Sequence, residues 1–133
     1  MPATTSLVTG VDFVSIPAKD LQESRDFYSD VLGLEASSVW GRPGTEAVGA
    51  EFETGTVTLA LLNCAALGIE FQANNSPIEF RVDDVAAARA ELESRGVEFK
   101  GEIVDSGVCH QTFFEDPAGN TLAFHHRYAP RDS

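Results

Sequence analysis

Phe113–His126 reads FFEDPAGNTLAFHH. Two runs, Cys109–Glu115 and Thr121–Arg127, flank the turn Asp116-Pro117-Ala118-Gly119-Asn120. In such a turn glycine supplies a positive φ, while Asp and Asn bond nearby backbone groups. The segment therefore predicts two strands around a turn. Upstream, Ile78, Phe80 and Val82 alternate with Glu79 and Arg81, the period of a strand. Asp84 then opens a helix with Val85, Ala88 and Leu92 on one face and Gly96 as its stop. More strand-like text leads to Cys109.

The first half has the same order. Val11–Pro17 reads as a strand, with Val14 and Ile16 on one side and Phe13 and Ser15 on the other. Asp20 opens a helix, and Glu23 three residues later completes a variant of the capping box. Leu21, Phe27, Tyr28, Val31 and Leu32 form one apolar stripe at helical spacing, ended by Gly33, and core packing explains Phe27 and Tyr28. Glu35 to Asn63 is strand-like, broken at Gly41–Gly44 and at Thr54-Gly55. Asn63 to Pro77 is weakly patterned and reads as a connection. A shift of 64 residues lays Asp84 on Asp20, Arg89 on Arg25 and Gly119 on Gly55. These identities and the common element order predict an internal repeat. The expected architecture is two βαβββ modules, about 11–63 and 77–128, in one α+β domain covering 1–133.

Composition narrows the partners. The 133 residues carry 9 Lys+Arg against 21 Asp+Glu, a formal charge of −12, with 43% apolar residues. That is globular composition. The scarcity of cations argues against nucleic acid and against anionic membrane surfaces, both of which are bound by neutralising phosphates. Met1–Gly10 lacks the cationic start and apolar stretch of a secretory leader, and no apolar run approaches spanning length. Cys64 and Cys109 are isolated, so reduced thiols and a cytoplasmic location are expected.

Three segments together resemble the vicinal oxygen chelate superfamily, which includes glyoxalase I, bleomycin-resistance proteins, fosfomycin-resistance enzymes and extradiol dioxygenases. They are DFVSIPAKDLQESRDFYSDVLGLE (Asp12–Glu35), IEFRVDDVAAARAELESRGVEF (Ile78–Phe99) and the terminal hairpin with its Asp-Pro-x-Gly-Asn turn. The resemblance implies a glyoxalase/bleomycin-resistance-like curved sheet, with the two modules around a concave cleft. It also implies pairing as a homodimer, and a metal held by His, Gln or Glu on the first and last strands of each module. Carried over, those ligand positions fall on Phe13, Pro77 and Ala123, with the remaining one near Leu59. Hydrocarbon and proline offer nothing to a divalent cation. The expectation is therefore no metal at the family site and no cofactor. A divalent metal at a displaced site stays open.

Strand parity then sorts the neighbours. Ser15, Glu79, Arg81 and His125 are expected in the cleft with Phe13 and Ala123, because side chains repeat every second residue. The resemblance adds Cys109, Gln111 and Phe113 on the penultimate strand, and Trp40 at the cleft rim. Ser15, Glu79 and His125 are expected as a polar trio about 7 Å from the family site. Within it Glu79 could orient His125 as a general acid/base pair, the candidate catalytic residues. The plain alternative pairs Glu79 with Arg81 or Arg127 and leaves His125 to cap the sheet. Cys109 has no facing cation next to it in sequence and reads as a small hydrophobe. His110 and His126 fall on the helix side and read as structural.

Three functions stay open. The first is a metal-independent protein binding a small, partly apolar molecule through Phe13, Ser15, Trp40, Leu59, Arg81, Cys109, Gln111, Phe113 and Ala123. The second is a glyoxalase-like lyase or isomerase, or a dioxygenase relative, using Glu79/His125 or a displaced metal. The third is a non-catalytic structural or regulatory dimer.

Overall fold

The computed structural model describes residues 6–130. Element order is β1 (Phe13–Ala18), α1 (Leu21–Asp26), a π-helical turn (Phe27–Val31), β2 (Glu35–Trp40), β3 (Gly49–Glu53), β4 (Thr58–Asn63) and α2 (Cys64–Leu67). It continues with β5 (Ile78–Arg81), α3 (Val85–Ser94), β6 (Phe99–Asp105), β7 (Cys109–Glu115) and β8 (Thr121–Arg127). The fold is α+β, with two βαβββ modules. Their strands lie in the orders β1-β4-β3-β2 and β5-β8-β7-β6. In each sheet the outer strand, β1 or β5, pairs in parallel with β4 or β8, and the other pairings are antiparallel.

Both helices start as their sequences dictate. Asp20 accepts from the Glu23 amide at 3.1 Å, and Asp84 from the Ala87 amide at 2.9 Å, each satisfying a donor the helix leaves free. After one α-helical stretch the first helix widens: the Leu32 amide bonds the Phe27 carbonyl at 3.0 Å. This π-type spacing lets the adjacent Phe27 and Tyr28 both turn inward, and both are buried. Gly33 at φ 77 then breaks the helix, a conformation open chiefly to glycine.

Alternation sends one face of each sheet onto the helices. Val14, Ile16 and Ala18 on β1 lie level with Leu59, Leu61 and Asn63 on β4. The matching face of the second sheet carries Phe80, Phe114, Leu122 and Phe124. One apolar cluster runs through both modules and includes Ile16, Tyr28, Phe52, Leu61, Leu92, Phe114 and Leu122. Within it Phe99, Phe114 and Phe124 form a triangle with ring centroids 5.0–6.3 Å apart, the tilted arrangement aromatic quadrupoles prefer.

Polar bonds tie the modules together. The Tyr28 hydroxyl donates to Asp116 Oδ2 at 2.7 Å, and Asn120 Nδ2 donates to the Pro17 carbonyl at 2.8 Å. Arg95 donates to the Val31 carbonyl at 2.6 Å. The connecting segment docks as well, the Asn74 amide donating to Asn120 Oδ1 at 2.7 Å. The Asp116-to-Asn120 turn is thus a clamp between modules as well as a hairpin loop.

The strands at 109–115 and 121–127 agree residue for residue with the sequence reading. The 63–77 connection, read as unpatterned, opens with the one-turn helix α2, capped by Asn63.

Candidate functional site

The face of each sheet turned away from the helices is the candidate binding surface. On the first sheet it carries Phe13 and Ser15 on β1, with Thr58 and Ala60 level with them on β4. Phe13 is 53% exposed. Trp40 closes β2 opposite Gly49. A β-carbon built on Gly49 would stand 2.4 Å from Trp40 Cζ2, so the indole lies directly on the glycine backbone. Trp40 remains 37% exposed, an aromatic plate on the open face.

On the second sheet the open face is two rows deep. Glu79, Ala123 and Phe113 lie side by side, and Arg81, His125 and Gln111 form the next row. Gln111 Nε2 donates diagonally to Glu79 Oε1. That bond arches over Ala123, whose methyl is fully buried although it faces outward. The His125 imidazole has no hydrogen-bond partner among the described residues, and neither does the Arg81 guanidinium. Cys109 completes the face opposite Arg127, whose Nη1 stands 3.9 Å from its sulfur.

Several expectations are corrected by this register. Leu59 does not face the open side: it is level with Val14, 1% exposed and part of the core. The first hairpin has one residue fewer than the second, with four residues between the paired Glu53 and Thr58 but five between the paired Glu115 and Thr121. A fixed shift of 64 therefore reverses the parity of β4, and Ala60 is the true counterpart of Ala123. Glu79 is level with Ala123 and not with His125, so the polar trio is staggered, and the carboxylate is held by Gln111. Cys109 does face a cation, supplied across the strand by Arg127. Both cysteines are free thiols.

The positions implied for a family metal are thus Phe13, Ala60, Pro77 and Ala123. None has a donor atom for a divalent ion. Among the described residues no three of His, Cys, Asp and Glu gather where they could hold one. The residues present do not fit the group.

Elsewhere, two polar clusters have shifted ionisation. Burial raises the Tyr28 phenol far above its ordinary value, and the Asp116 charge and hydrogen bond raise it further. The Asp116 carboxylate itself accepts from Tyr28, the Asn120 side chain and the amides of Ala118 and Asn120, at 2.7–3.0 Å. A buried charge needs that many donors. At the far end of the sheet, the Tyr128 hydroxyl and then the Gly107 amide lower Asp105 below the usual carboxylate range, with His110 adding to the effect. The same bond raises Tyr128. His126 bonds the Val82 carbonyl at 3.1 Å on the helix side.

Among the described residues no helix is long and apolar enough to cross a membrane. A cavity of about 300 Å³ lies where the modules meet, bounded by both sheets and by Leu32 and Leu34 after the π turn.

Solved structures share this architecture at low identity. A member of the glyoxalase/bleomycin resistance protein/dioxygenase superfamily from Sphaerobacter thermophilus is 21% identical with a TM-score of 0.76, covering 90% of this chain and 98% of its own. TnmS3, an antibiotic binding protein from Streptomyces sp. CB03234, is 23% identical with a TM-score of 0.74, over 92% of this chain and 99% of its own. Lactoylglutathione lyase from Agrobacterium tumefaciens is 20% identical with a TM-score of 0.72, over 89% and 93%. At such identities the likeness establishes the fold alone. No curated protein matches the sequence. The sequence profile of the Glyoxalase/Bleomycin resistance protein/Dioxygenase superfamily matches residues 10–124, and the chain belongs to that superfamily.

Proposed function

We propose that this protein binds a small, partly apolar molecule on the open faces of its sheets, without a metal or other cofactor. The observation that carries this reading is the floor of the second sheet. Glu79 and Gln111 are spent on each other over Ala123, leaving Phe113 and an unpartnered His125 as neighbours. A surface of apolar area with a few fixed polar groups is how small-molecule sites are built. Because Gln111 and not His125 takes the Glu79 carboxylate, the arrangement supports binding over acid/base catalysis by that pair. A relative of the same fold described as an antibiotic binding protein is in keeping with it.

The complete site belongs to a homodimer in this reading. The open edges of β1 and β5 and the exposed Phe13 beside one of them are features that soluble proteins cover. A second copy would wall in the flat faces. Two free thiols and the absence of a long apolar helix among the described residues suit the cytoplasm.

A thermal-shift screen of chelator-treated protein against apolar antibiotics and aromatic metabolites, paired with analytical ultracentrifugation, tests this. A true ligand at a hundred times its Kd adds about 2.7 kcal/mol of stability. A monomer that no compound stabilises, or turnover of a hemithioacetal once a divalent ion is added, would overturn the reading.

A further inference from the structure

The cavity between the modules is walled by helix-side residues of both sheets and by the edge strand β5, and Phe13, Trp40 and His125 are not part of its wall. Val14 and Leu59 enter its wall from the first sheet, Leu34 from the segment after the π turn, and Phe80 and Phe124 from the second sheet. At about 300 Å³ it reaches the lower end of the range of small-molecule pockets, roughly 300–1,000 Å³. Its wall is part apolar and part polar, with Thr54 and Thr56 beside the aliphatic and aromatic residues, as small-molecule pockets usually are.

The polar side of the cavity carries one charge of each kind, Glu79 and Arg81, and only one of them is free. Arg81, also in the wall, is exposed and has no ion-pair or hydrogen-bond partner among the described residues. Glu79, two residues away on the same face of β5, does not pair with it, because Gln111 holds that carboxylate. The main chain adds a donor. The Val82 amide bonds the His125 carbonyl, so Val82 and Phe80 turn their backbone groups toward β8. Backbone groups alternate along a parallel strand, which turns the Arg81 amide toward the open edge of β5. One planar guanidinium and one amide thus stand unmatched beside a partly apolar hollow.

We propose that this cavity is a second ligand site, for a short alkyl chain or single ring bearing one carboxylate. The apolar body lies among Val14, Leu34, Leu59, Phe80 and Phe124, and the carboxylate meets Arg81. A guanidinium matches a carboxylate in shape as well as charge. The site borders the sheet-face site at Glu79 and Arg81, but its apolar wall is distinct, and each reading is decided by its own experiment.

Calorimetric titration of the full chain with octanoate, 1-octanol and octylamine tests it. Octanoate binds tightest of the three. Arg81→Gln, a change on an exposed side chain, weakens octanoate about ten-fold and leaves octanol within two-fold. Leu34→Trp, which fills the hollow, removes octanoate binding, whereas Phe13→Ala on the open face leaves it unchanged. Equal affinity for octanoate and octanol, or indifference of octanoate to Arg81→Gln, overturns the carboxylate assignment. Loss of octanoate in Phe13→Ala overturns the location. Failure of all three probes to bind overturns the site, and the sheet-face reading is still decided by its own screen.

Discussion

Tyr28 and Asp116, 88 residues apart in sequence, meet at 2.7 Å in the interior and join the two modules through one hydrogen bond. The phenol is fully buried and the carboxylate nearly so. Removing the hydroxyl leaves a buried charge one donor short. Tyr28→Phe is expected to lower the unfolding free energy by about 1–3 kcal/mol, with the denaturant m-value unchanged. Chemical denaturation measures both quantities, and an unaltered midpoint would count against the clamp.

The same phenol sets an alkaline limit. Its folded pKa is raised, first by burial and then by Asp116, so the fold favours the neutral form. Its contribution is complete below the unfolded value of about 10 and declines above it, as the unfolded chain ionises, by up to about 1.4 kcal/mol per pH unit. Stability measured between pH 9 and 11 should fall in the parent. It should fall less in Tyr28→Phe, because only Tyr128 then retains a raised phenol.

Asp105 behaves in the opposite sense. Its carboxyl is held low, chiefly by the Tyr128 hydroxyl. The stabilisation stands above the unfolded value of about 3.9 and disappears as pH falls through the lower folded value. Tyr128→Phe should move the Asp105 midpoint upward in a carbon-detected NMR titration. A stationary midpoint would transfer the effect to the Gly107 amide.

Gly49 is required by what lies on it. An alanine there would place Cβ 2.4 Å from Trp40 Cζ2 and 2.7 Å from the Leu61 carbonyl oxygen, and that backbone atom cannot swing aside. Gly49→Ala is expected to destabilise by about 1–3 kcal/mol and to shift the emission of the sole tryptophan. Adding Trp40→Ala relieves only the indole contact, so part of the loss should persist.

Two phenylalanines on opposite faces should respond differently. Phe114, fully buried between Phe99 and Phe124, is expected to cost about 3–5 kcal/mol on truncation to Ala. Phe13, more than half exposed, should change monomer stability by no more than about 0.5 kcal/mol. Its truncation should instead weaken self-association in sedimentation experiments.

Local signals carried the sequence reading where they were strong. Alternation and turn chemistry gave the β7–β8 hairpin to the residue, and Asp20 and Asp84 cap the two helices as their positions predicted. Parity puts Glu79 and Arg81 on one face with Ala123, and the family resemblance adds Gln111 and Phe113 to it, as the register has them. What it missed was pairing at a distance. Alternation says which face a side chain takes, but not which residue stands across from it, so the expected Glu79–His125 grouping is staggered, with Glu79 level with Ala123. The sequence neighbours of Cys109 supply no cation, and the one beside it arrives from the next strand. The Tyr28–Asp116 bond had a faint signal: a phenol on an apolar helical stripe must find a partner when buried. Nothing in either local segment named the other.

The β3–β4 loop is one amino acid shorter than the β7–β8 loop, and this has a cost for anyone comparing the chain with itself. From that point the halves run out of phase, so any rigid overlay matches inward residues of one copy with outward residues of the other along a whole strand. The kinship of the two halves is therefore plain in three dimensions and largely erased in one.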